Sequence, residues 1–82
     1  MPAHTARLYP SGLLPSLQSL LASLADIDFE HDSDVETVRN SPVDDWLKQT
    51  VIRTLEERHR QRRAPYVAQL GRLEKRMQAL AA

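Results

Sequence analysis

The chain has no cysteine, which excludes a disulfide framework, thiolate zinc sites and thiol nucleophiles. Its two glycines, Gly12 and Gly71, are too few and too far apart to form a phosphate-cradling loop. Aromatic residues are sparse, with one Trp, one Phe and two Tyr, so leucine must carry any core. No run approaches the roughly 18 consecutive apolar residues of a membrane span, because Gln18 and five serines interrupt the most apolar stretch, residues 11–33. The first 25 residues also lack acidic groups and end in Ser23-Leu24-Ala25, which mimics a cleavage site. Pro15, Ser16, Gln18 and Ser19 break the apolar region that such a leader needs, so no cleaved signal and no membrane partner are expected. A cytoplasmic location follows as the expectation.

What the chain does have is charge, strongly polarised along its length. Net charge is zero, but residues 1–45 hold eight acidic side chains against Arg7 and Arg39, whereas residues 46–82 hold nine basic against three acidic. Such opposed halves imply either folding of one onto the other or an electrostatic partner. At 82 residues there is room for one small domain.

Residues 1–12, with Pro2, Pro10 and Gly12 and no apolar period, read as an extended N-terminal arm, leaving 13–82 as a single small helical domain. From Leu13 the spacing changes: Leu13, Leu17, Leu20, Leu24 and Ile27 recur at four and three, the stripe of an amphipathic helix over about 13–26 with Pro15 in its first turn. Acidic residues then occupy every second position from Asp26 to Glu36. A lone strand there would lack a partner, so the reading is an acidic loop over about 26–36, closed by a short helix over 34–39 that Ser33 and Glu36 would cap. Ser41, Pro42, Asp44 and Asp45 form a strong helix-start signal, predicting a helix over about 42–63. Pro65 predicts a stop or a kink, although Leu55 and Tyr66 stay in phase across it. Tyr66, Leu70, Leu73, Met77 and Leu80 then predict a last helix over about 65–80. The expected fold class is all-α: a small bundle or helical hairpin of three to four short helices with heptad-like Leu faces.

Catalytic and metal chemistry find little footing. The acidic run fails the calcium-loop pattern, with His31 where glycine is needed and Thr37 at the twelfth place, so no metal is expected. His4, His31 and His59 have no spacing that recruits a second ligand, and no serine stands in a nucleophile elbow. His59 shares a helix face with Glu56 and Arg63, which reads as surface ion pairing. Neither enzyme activity nor a cofactor is expected.

Interaction is the remaining class. Trp46 and Tyr66, with Arg58, Arg60, Arg62 and Arg63, are the residue types that anchor protein interfaces, although both aromatics also fall on apolar stripes and so suit core packing. Leu13, Leu17, Leu20 and Leu24, together with Leu70, Leu73, Met77 and Leu80, are expected to drive self-association, because a core this small leaves a lone monomer marginal. The expected function is a non-catalytic accessory or regulatory subunit that binds a larger protein or itself. The alternative is a nucleic-acid binder using the arginines, which overall neutrality and the internal acidic counter-charge disfavour. The acidic segment is also expected to meet the basic segment 58–63, since each otherwise repels itself.

Overall fold

The computed structural model describes residues 12–81, and the expected arm lies, but for Gly12, outside them. The described residues are all-α, with two helices rather than three or four: α1 over Leu14–Arg39 and α2 over Asp45–Ala81. They run antiparallel. Leu13 and Leu20 border the same hollow as Leu73 at one end, Asp28 meets Arg63 in the middle, and Val35 lies across from Glu56 towards the turn. A 37-residue helix is about 56 Å long at 1.5 Å per residue. The described residues measure 59 × 21 × 13 Å, so α2 alone spans their length. Their radius of gyration, 18.3 Å, far exceeds the roughly 11 Å of a compact chain of that many residues.

The acidic segment is helix, not loop, and the separate helix expected over 34–39 is the last part of α1. The alternation of acids concealed a fourfold pattern: Ile27, His31 and Val35 continue the seam begun by Leu13, Leu20 and Leu24, and Ile27 and Val35 are buried. Repulsion among the acids is relieved because Asp28 and Glu30 find cations on α2. Ser33 is no cap here; its carbonyl accepts a hydrogen bond from the Thr37 hydroxyl.

α1 ends where Asn40 N–H bonds to the Glu36 carbonyl and Ser41 N–H to that of Val38. The Ser41 hydroxyl donates to the same Val38 carbonyl at 2.6 Å, so it closes α1 instead of opening α2. The second helix therefore starts three residues later than the 42 expected, at Asp45, with the Asp44 carbonyl accepting from Leu47 and Lys48 N–H. Lys48 Nζ reaches back to the Arg39 carbonyl at 2.9 Å, placing a cation at the negative end of α1.

The two expected helices over 42–63 and 65–80 are one, continuous through Pro65. Interior proline costs about 3 kcal/mol, chiefly through a lost hydrogen bond and a clash with the preceding turn. What offsets that cost is a shared face: Ile52 and Leu55 on one side of Pro65 and Tyr66, Leu70 and Leu73 on the other are all half-buried or buried. Among the described residues Leu13, Leu24, Ile27, Val35 and Leu73 are the buried apolar ones, and no side chain is wholly enclosed. The core is a single seam between two helices.

Candidate functional site

The seam is interrupted at its midpoint by a polar cluster. Asp28 on α1 accepts a hydrogen bond from His59 Nε2 at 2.7 Å and from Arg63 Nη1, which lies 2.6 and 2.7 Å from its two carboxylate oxygens. One turn along α1, His31 stacks on the His59 ring with centroids 4.0 Å apart and planes 11° from parallel. Arg62 Nη1 pairs with Glu30 Oε2 at 2.9 Å on the neighbouring register. The hydrogen bonds from Arg63 and then His59 hold the Asp28 carboxyl below its ordinary 3.8. Within α2, Arg60 pairs with Glu57, lowering the carboxyl and raising the guanidinium.

An Asp–His pair can orient an imidazole towards a nucleophile, but among the described residues no hydroxyl hydrogen-bonds to His59. Arg63 also occupies both oxygens of that carboxylate. The arrangement is a clamp between helices: three groups from α2 grip two acids of α1. Among the described residues no three His, Asp or Glu side chains stand close enough to hold a metal ion. The surface hollows are shallow grooves along the helices, one of them about 460 Å³ and lined by His31, Asp32, Val35, Glu36, Arg39, Asn40 and Glu56.

The residues expected to bind a partner do not converge. Trp46 projects into solvent near the turn, 66% exposed, about 25 Å along α2 from Arg63. Arg58 is exposed, Arg60 is paired within its own helix, and Arg62 and Arg63 are spent on α1. Tyr66 is half-buried at the seam, beside Ser23, Asp26, Ile27 and Arg62 around a hollow of about 390 Å³. Thus the segments of opposite charge do meet, as their repulsion implied.

The residues expected for self-association are placed mostly inside the hairpin. Leu13, Leu24 and Leu73 are buried, Leu17, Leu20, Leu70 and Met77 are half-buried, and Leu80 alone is exposed. The two Leu stripes face each other within one chain. Sequence reasoning paired the acidic segment with the basic one but did not single out Asp28 and His31 within it. The available signal was fourfold spacing: Asp28 follows Leu24 and His31 follows Ile27 by one turn, which puts both at the seam.

The outer surface retains large apolar side chains: Leu21, Phe29, Val43, Trp46, Val67 and Leu80. No helix among the described residues is long and apolar enough to cross a membrane. Comparison with known proteins finds no matching family model, no matching curated protein and no matching solved structure.

Proposed function

We propose that this hairpin is a non-catalytic protein–protein interaction module, a small accessory or regulatory subunit acting by docking to other protein surfaces. The observation that carries the reading is Trp46, the chain's one tryptophan, two-thirds exposed beside the exposed Val43 at the turn of a rod-shaped molecule. Trp is the side chain most enriched among residues that dominate binding energy, and in water it gains nothing from such a position. A rod with a one-seam core also offers long helical faces and only shallow grooves, which suits protein surfaces better than small substrates.

The nucleic-acid alternative is less well supported. Its phosphate contacts were to come from the arginine cluster, and Arg60, Arg62 and Arg63 are each paired with a carboxylate. Capture from native lysate by the immobilised full chain, compared with Trp46→Ser, tests the proposal. A protein retained by the first and lost by the second, with unchanged helicity of the variant, is the expected result. Micromolar oligonucleotide binding at about 50 mM salt, lost when Arg58, Arg72 and Arg76 become Ala, would replace it with the rival reading.

A further inference from the structure

Exposed apolar side chains run from one flank of the seam round to the outer face of α1. Asp28 and Arg63 mark that side of the seam, since their side chains meet there. Val67 follows Arg63 by one turn, and Leu21 and Ala25 precede Asp28 by two turns and one, so these three stand on that side, whereas Phe29, the neighbour of Asp28 in sequence, is turned about 100° from it onto the outer face of α1. Phe29 follows Ala25 by one turn and is 73% exposed; Leu21 and Val67 are about half exposed. From Arg7 to Asp26 the sequence has no charged residue, so the outer face of early α1 meets water without a charge of its own. Covering the part of α1 before Asp26 would desolvate no ion, the usual penalty against closing a surface.

The position of the Leu21, Ala25 and Phe29 stripe along the rod selects its occupant. Arg63 is the middle residue of α2, so the Asp28–Arg63 pair marks the centre of the long axis. Leu21, Ala25 and Phe29 all lie within about 10 Å of that level. Charge is distributed unevenly about it. Residues 32–57, the turn end, hold seven acidic and three basic side chains, a net −4, while residues 13–25 with 64–81, the open end, hold one acidic and three basic, a net +2. Two such rods placed side by side in parallel would set −4 against −4. Reversed, they set each acidic end against the other's basic end and superpose the central apolar stripe on itself.

We infer that a second copy of this chain docks antiparallel on the stripe of α1 formed by Leu21, Ala25 and Phe29, with a two-fold axis near Ala25. Phe29 of each copy then lies against Leu21 of the other, and Ala25, meeting its symmetry mate, lets the two α1 helices approach closely. The product is a four-helix assembly that gives the single seam a second layer. The inference rests on the proposed interaction role but uses a surface remote from Trp46, so the two are tested separately.

Sedimentation equilibrium of the full chain between about 1 and 100 μM, at low salt, reads the mass directly. The expected result is a particle of twice 9.4 kDa that Phe29→Lys dissociates by at least tenfold in Kd, with helicity intact because Phe29 contributes little to the seam. Leu80→Lys, on the open end, leaves the mass unchanged. The native chain lacks cysteine, so Ala25→Cys supplies one thiol; under mild oxidation by copper phenanthroline it forms a cross-chain disulfide, whereas Thr54→Cys does not. A 9.4 kDa mass throughout, or a dimer indifferent to Phe29→Lys, overturns the inference while leaving the Trp46 reading in place. A Phe29-dependent dimer that Ala25→Cys fails to cross-link overturns its antiparallel geometry.

Discussion

The ion pair at the centre of the seam makes a quantitative prediction. Asp28→Asn removes the charge while keeping the shape, and Arg63→Gln removes its partner. Their side chains are 42% and 33% exposed, so solvent screening limits the pair to the range of exposed ion pairs, about 0.2–1 kcal/mol. The guanidinium reaches both carboxylate oxygens and His59 adds a third hydrogen bond, which places the coupling near the upper end, about 1 kcal/mol. For a domain of this size that equals roughly 4–8 °C in Tm. A double-mutant cycle read by urea unfolding at 222 nm measures it, and the coupling should shrink in 1 M salt, where the Debye length is about 3 Å.

The same pair fixes a pH dependence. The native Asp28 carboxyl titrates below its ordinary 3.8, so its stabilising contribution is complete above that value. It is lost as pH falls through 3.8 towards the lowered native pKa. Because Asn mimics the protonated acid, the stability gap between the native chain and Asp28→Asn should be largest near pH 7 and close to zero under strongly acidic conditions. Zero coupling at low salt, or a gap independent of pH, would refute the clamp.

Two further perturbations probe the fold. Pro65→Ala should raise stability by about 1–3 kcal/mol, because it restores a hydrogen bond inside an uninterrupted helix; a neutral or destabilising result in urea would mean that α2 does not run through this position. Leu73→Ala should cost about 2 kcal/mol, at the low end for buried leucine since the seam is open to solvent on both sides, and should lower the urea midpoint without abolishing cooperativity.

Some of this architecture was legible in the sequence. The Leu13-to-Leu24 stripe, Pro15 in a first turn and the attraction between segments of opposite charge all follow from local pattern, and the structure contains them. The acidic segment was misread because charge alternates with a period of two while burial follows a period near four; Ile27, His31 and Val35 carried the signal that Asp26 to Glu36 obscured. Pro65 was misread for a different reason. Its local penalty is visible in the sequence, whereas the compensating face of α1 exists only once the chain has folded back. The leucine stripes posed a third limit: spacing shows that a helix has a face to cover, and cannot distinguish the neighbouring helix of the same chain from another molecule. The clamp of Asp28, His59 and Arg63 depends on register across the hairpin, which the turn at 40–44 sets and no local pattern encodes.

The hairpin is a rod only if its second helix is unbroken. Gln49 and Gln78 are both exposed on α2, and a chain without native cysteine can be labelled uniquely at these two positions after Gln→Cys substitution. A continuous helix separates their backbones by about 44 Å, from 29 residues at 1.5 Å each. Pulsed electron–electron spin resonance, with the labelled chain diluted in unlabelled protein, should give one narrow distribution centred near that distance, allowing for the label arms. A broad distribution, or a dominant distance below about 30 Å, would show α2 broken or folded back at Pro65 and would contradict the rod on which the proposed surfaces are laid out.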